Sequence, residues 1–162
     1  MELTHLDSEG KARMVDVGEK SETTREAHAY GRVRMSPEAY KQVRSGYGPK
    51  GDIFTVAKIA GIMGGKKTSD LIPLCHPLPI NVIDVEYVFK DDEYTIEIRS
   101  TAKTKALTGV EMEAMTTVMI TALTIYDMCK AIDKGIELGP FYLLEKSGGK
   151  SGIYRRNVSA KI

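Results

Sequence analysis

Two carboxylates near the start of a long apolar stretch, and an Asp and a Lys near its end, are the side chains of this sequence best placed to do chemistry. The stretch runs from Thr104 to Lys130 (TKALTGVEMEAMTTVMITALTIYDMCK), and the four groups are Glu111, Glu113, Asp127 and Lys130. Ionised groups are costly to bury unless paired or given a ligand, so these are candidates for proton transfer or for gripping a polar substrate. Structural roles compete. Thr108-Gly109-Val110-Glu111 has the spacing of a capping box, and Glu113 would gain from the helix dipole. An Asp in the last helical turn opposes that dipole, yet a surface ion pair three residues apart would account for Asp127 and Lys130.

Four further features carry the same tension. Lys50 sits in YGPKGD, where bare backbone can approach a ligand and one ammonium can meet phosphate; a solvated loop lysine is the alternative. His76 lies in LIPLCHPLP, whose prolines at 73, 77 and 79 make a rigid extended loop that holds a polar side chain in place. Adjacent Cys75 and His76 do not have the spacing of zinc ligands, and no metal site is expected. The loop KSGGKSG, Lys146 to Gly152, tempts a phosphate-loop reading, but Leu144 occupies the position of its first glycine and no helix follows. It reads instead as an anion cradle or a flexible segment. Arg25, alone on an unpatterned arm, could grip phosphate or simply be solvated.

The elements that must position these groups follow from pattern. The 162 residues, 42% hydrophobic, suffice for one domain with its own core. A net charge of +1, from 23 basic and 22 acidic side chains, argues against an extended nucleic-acid surface and leaves room for a local anion pocket. Two separated cysteines and no signal-like start predict a reduced, cytoplasmic protein. Residues 1–25 read as a mobile arm, 26–152 as the single catalytic domain and 153–162 as a flexible tail. Ala27 to Met35 alternates as a strand; Ser36-Pro37 opens a helix to about Gly46; Asp52 caps a second, with Ile53, Val56, Ala57 and Ala60 inward and Gly64-Gly65 as its stop. Ile83 to Phe89 and Tyr94 to Ile98 form a hairpin, Val110 to Ile132 a long helix, and Ile136 to Leu144 a last strand that Pro140 consigns to an edge or bulge. Thr116, Thr117, Thr121, Thr124, Asp127 and Lys130 interrupt the long helix too often for a membrane span. The order predicts an α+β, ferredoxin-like fold: an antiparallel sheet with helices on one face and one extra helix. A long helix apolar nearly all round also predicts an oligomer.

The strings MVDV (14–17), KGD (50–52), AGI (60–62), TSDLIPLCHPL (68–78), TGVEMEA (108–114), ALTIYDMCKA (122–131) and KSGGKSG (146–152) resemble the molybdenum cofactor biosynthesis protein C family across nearly the whole chain. That resemblance implies a cyclic pyranopterin monophosphate synthase: it takes the cyclised dihydro-GTP, rearranges it to the pyranopterin, closes a cyclic phosphate and releases pyrophosphate. It implies a hexamer, a trimer of dimers, with active sites at subunit interfaces. By residue, it implies catalytic roles for Asp127, Lys130 and Lys50, a substrate pocket lined by Leu74, Cys75, His76, Met112 and Glu113, and membership of the same pocket for Glu111, Arg25 and Lys146. No cofactor is required by the sequence; a triphosphate is compatible with Mg²⁺, but no acidic cluster reads as a dedicated metal site.

Two other readings are open at this point. A non-catalytic nucleotide sensor would keep the cationic pocket but have no need of the Asp127 and Lys130 pair; GTP binding without product would favour it. An RNA-binding module would need stacking aromatics on its strands, and the chain has three Phe and no Trp.

Overall fold

The computed structural model describes residues 4–157 and gathers the alternating segments into a six-stranded antiparallel sheet, with a separate two-stranded pair beside it. In chain order the elements are β1 (Thr23–Arg34), α1 (Pro37–Val43), β2 (Tyr47–Gly48), β3 (Gly51–Asp52), α2 (Ile53–Lys66), α3 (Thr68–Leu71), β4 (Ile80–Lys90), β5 (Thr95–Ala106), α4 (Glu111–Cys129), β6 (Glu137–Leu138), β7 (Tyr142–Ser147) and β8 (Tyr154–Arg155). The sheet order is β4-β5-β1-β7-β8, with β6 also pairing β1, and every neighbour is antiparallel. Period-two patterning gives this sheet two unlike faces. Ala27, Ala29 and Val33 of β1 and Ile96, Ile98 and Ala102 of β5 are fully buried, and α4 packs over them. Their neighbours His28, Arg32, Glu97, Arg99 and Lys103 occupy the other face. Val118 and Ile125 of α4 are also fully buried, each contributing roughly 1.5–3 kcal/mol by leaving water.

α2 lies against α4 along a seam of missing side chains. Ile53, Ala57, Gly61 and Gly65 are its buried positions, an i, i+4 stripe. A Cβ at Gly61 would sit 2.0 Å from Thr121 Oγ1, and one at Gly65 would sit 2.3 Å from Thr117 Oγ1. The threonines are satisfied within α4: Thr117 Oγ1 donates to the Glu113 carbonyl and Thr121 Oγ1 to that of Thr117, each at 2.7 Å. Polar side chains are thereby buried without loss of hydrogen bonds.

The expected ends of several elements shift. The two expected caps form: Ser36 accepts from Ala39 N–H and Asp52 from Thr55 N–H. However, α1 ends at Val43, and α2 continues through Gly64-Gly65, which serve close packing rather than termination; Val56 is exposed. β1 begins at Thr23 because β5 extends to Ala106 and pairs with it, so Arg25 lies in the sheet. Tyr94, expected to open a strand, instead has φ 51° and ends the 3-10 turn of Asp91–Glu93. α4 starts at Glu111 with Val110 as its N-cap and no side-chain cap, so the Thr108 capping box does not form. The single strand expected over Ile136 to Leu144 is interrupted around Pro140, which has no N–H to give a ladder, and appears as β6 and β7. α3 was unforeseen, as was β8 in the expected tail; residues 158–162 of that tail lie outside the described residues. No helix among the described residues is long and apolar enough to cross a membrane.

Candidate active site

At its N-terminal end α4 opens onto a chamber of about 420 Å³, inside the roughly 300–1,000 Å³ range of ligand pockets. Leu74, Cys75 and His76 form one wall, on the extended segment that the prolines hold ahead of β4; Glu111, Met112 and Glu113 form another. Val15 and Val17 from the N-terminal segment lie across it. Glu113 is 4% exposed, and burial, with the Glu111 charge adding to it, pushes its carboxyl up to about 7. A carboxyl poised there can take or give a proton at neutral pH. Burial also raises the Cys75 thiol, with Glu113 contributing, so Cys75 lines the wall as a neutral group rather than a thiolate nucleophile. Glu111 folds back over Gly109, where a Cβ would meet its carboxylate at 2.0 Å.

A second chamber of about 520 Å³ adjoins the first, sharing Lys20, Thr108, Gly109 and Glu111 with it. Arg25 lies on its wall, with Nε donating to the Ala106 carbonyl at 3.3 Å and Nη2 to that of Leu107 at 3.1 Å. The guanidinium therefore pins the chain that leads into α4. Gly149 passes over it: its φ is 76°, and a Cβ there would stand 2.0 Å from Arg25 Nη1. Lys146 does not line either chamber; its Nζ donates to Ser151 Oγ, which does line the second.

The other end of α4 carries a separate cluster. The two-residue turn between β2 and β3 delivers Lys50, whose Nζ meets Asp127 Oδ2 at 2.8 Å, while Lys130 Nζ meets Asp127 Oδ1 at 2.8 Å. Two hydrogen-bonded lysines, Lys130 foremost, hold the Asp127 carboxyl down to about 2, and Asp127 in turn raises Lys130. The sequence suggested charges stressed by an apolar setting. Asp127 and Lys130 are in fact half exposed, at 51% and 50%, and Lys50 from the turn joins their pairing. Fourteen residues of helix separate Asp127 from Glu113, roughly 21 Å at 1.5 Å per residue. One copy of the chain thus brings together Lys50, Asp127 and Lys130, and separately Leu74, Cys75, His76, Glu111, Met112 and Glu113, but does not join the two sets.

Sequence reasoning missed Lys20, which faces both chambers, and Thr23 on the second. Lys20 sits in an unpatterned segment, and only its three-dimensional neighbours mark it out.

Known proteins share this arrangement's sequence. The MoaC family pattern matches residues 14–149. The cyclic pyranopterin monophosphate synthase of Trichodesmium erythraeum is 55% identical over 152 residues, covering 94% of this chain and 92% of its own. Those of Heliobacterium modesticaldum and Peptoclostridium acidaminophilum are 54% and 51% identical, covering 95% and 96% of this chain and 97% and 98% of their own. With the motif-bearing loops gathered at both ends of α4 and a match spanning both, this chain belongs to the MoaC family.

Proposed function

We propose that this chain is a cyclic pyranopterin monophosphate synthase, a lyase that converts cyclic dihydro-GTP to the cyclic pyranopterin monophosphate and pyrophosphate. The observation that carries this reading is the pairing of a buried carboxyl poised near neutrality, Glu113, with a chamber beside it lined by Lys20, Arg25 and Lys150. The reaction asks for two things. Opening and reclosing the ring system needs proton transfers; closing the cyclic phosphate needs a sugar hydroxyl to attack the α-phosphorus as the bond to the β-phosphate breaks and pyrophosphate leaves with the electron pair. In our reading Leu74, Cys75, His76 and Met112 enclose the base end, and Glu113 accepts from its N–H donors. Arg25, His76 and Lys146, the last through Ser151, stabilise the phosphates. Asp127 keeps Lys130 protonated, so Lys130 is a proton donor, and Lys50 shares the same carboxylate.

Because about 21 Å of helix separates these lysines from Glu113 in one copy, we assign each complete site to two copies. The lysine cluster of one would close the chamber of another. Exposed apolar side chains on α2 and α4, Ile59, Met63, Met119 and Leu123, supply a surface for such an assembly; a hexamer accords with it. We assign no Mg²⁺ seat to the chain. Burial disfavours the charged form of Glu113, and divalent cations take several oxygens. The free cysteines, Cys75 and Cys129, accord with a cytoplasmic location. Incubation of the purified protein with cyclic dihydro-GTP tests the proposal: pyrophosphate and a pterin product are expected in equal amounts, and binding without either would leave only the sensor reading.

A further inference from the structure

We infer that Arg156, which lines neither chamber, is a positioning residue: by stacking on a pair of tyrosines it fixes the far end of the glycine loop that follows β7. The inference rests on the synthase reading for what the loop serves, and on contacts outside the site for how the loop is held. The loop needs such a hold. Gly148, Gly149 and Gly152 have φ values of 95°, 76° and 66°, and glycine gives up more backbone freedom on ordering than any other residue. Its near end is secured, because β7 stays in register with β1 up to Ser147. Its far end enters β8, two residues at the edge of the sheet and well short of an ordinary strand. Arg155 Nε meets Glu145 Oε1 there at 3.2 Å, but with side chains 72% and 37% exposed that pair contributes little.

Arg156 is held differently. Its backbone N–H donates to the Leu144 carbonyl at 2.8 Å, and its guanidinium carbon lies 4.3 Å from the centre of the Tyr142 ring. Tyr142 stacks in turn on Tyr30, with ring centres 4.7 Å apart and planes 14° from parallel. Ala29 and Gly31 turn toward the core, so Tyr30 between them stands on the face away from α4. It is nevertheless only 9% exposed, and its hydroxyl donates to Glu97 of β5 at 3.2 Å. Among the described residues no carboxylate lies within 4.0 Å of Arg156, so the ring face is what its charge meets. A column of Glu97, Tyr30, Tyr142 and Arg156 therefore runs from β5 across β1 and β7 to the residue just past β8. Between its end and β7 lie Gly149, which crosses Arg25, and Ser151, which accepts from Lys146.

Hydrogen exchange and steady-state kinetics test the anchor. In Arg156→Ala the amides of residues 148–152 should exchange about two- to fivefold faster, the worth of one exposed cation–π contact, with the melting temperature near that of wild type. KM for cyclic dihydro-GTP should rise by a similar factor with kcat kept, since a loosened loop is lost equally to ground state and transition state. Tyr142→Phe, which keeps the ring, should match wild type. Tyr142→Leu should loosen the loop, and adding Arg156→Ala to it should change nothing further, the mark of a shared contact. Unchanged exchange and KM in Arg156→Ala overturn the anchor, as do additive effects in the double variant or a fall in kcat at constant KM. Wild-type turnover with a KM indifferent to Arg156 leaves the synthase standing without the anchor. Loop exchange that depends on Arg156 and Tyr142 in a protein without turnover does the reverse.

Discussion

The two ends of α4 each present an acid, and their surroundings drive those acids in opposite directions. Glu113, 4% exposed, is pushed up to about 7 by burial, while Asp127, half exposed, is held near 2 by Lys130 and Lys50. One helix thus offers a carboxyl that changes charge at neutral pH and a carboxylate that never does. In the proposed mechanism the difference separates tasks: the titrating group would read a ligand, and the fixed one would orient cations. Apolar setting alone would have predicted the same behaviour at both ends; burial at Glu113, against exposure beside Lys130 and Lys50 at Asp127, is what makes them unlike.

The comparison breaks most visibly in turnover. Lys130→Ala and Asp127→Ala should each lower it by about 10²–10⁴, the usual contribution of a placed acid–base group, with a melting temperature close to wild type because both side chains are half exposed. Near-normal pyrophosphate release by Lys130→Ala would remove the C-terminal cluster from the chemistry. Next in size is a complementation test. Lys130→Ala and Glu113→Ala proteins, each inactive alone, should regain measurable turnover when unfolded and refolded together, since one copy then supplies each end; continued inactivity of a mixed assembly would mean that each copy completes its own site.

The pH signatures sharpen the contrast. Wild-type KM should rise as pH falls below about 7, where Glu113 gains a proton, and Glu113→Gln should flatten that dependence. The same group acts oppositely on the fold: between its ordinary value of 4.5 and about 7 the native chain holds a proton that the unfolded chain has released, so stability falls as pH rises through that window. For Asp127 the unfolded chain binds the proton first, near 3.8, so its contribution is present above that value and is lost as pH falls toward 2. Melting curves of wild type, Glu113→Gln and Asp127→Asn across pH separate the two, and identical profiles would show that the ends do not differ. The smallest effect concerns the seam beneath both ends. Gly61→Ala should cost about 1–3 kcal/mol by denaturant titration, the range for overpacking a filled core, because its methyl meets Thr121 Oγ1 and stands 3.0 Å from the Thr117 carbonyl.

Much of this was legible in sequence where the signal is local. The alternation of Ala27, Ala29 and Val33, the caps Ser36 and Asp52 and the rigid proline segment around His76 each depend on neighbours within a few residues. The misread features depend on distant partners. Thr23 to Arg25 join the sheet only because β5 is long enough to pair with them. Gly64 and Gly65 look like a stop until Ile120 and Thr117 of α4 are placed against them. Glu111 has the spacing of a capping partner, yet the helix starts at that very residue and its carboxylate turns toward the chambers. The site residues were legible as motifs, but the separation of Glu113 from Asp127 was not, since a string of residues does not say that a straight helix lies between them.

The seam between α2 and α4 also constrains how this sequence can change. Any residue larger than glycine at 61 or 65 requires atoms to be removed from Thr121 or Thr117, and those threonines cannot grow while the glycines face them. Bulk at position 61 is eased by a matched change, such as Gly61→Ala with Thr121→Ala, which removes the hydroxyl that the new methyl would meet and leaves the Thr117 carbonyl 3.0 Å away. The two helices behave as a single unit of inheritance, and a screen of single substitutions would record as costly what a screen of pairs would find cheaper.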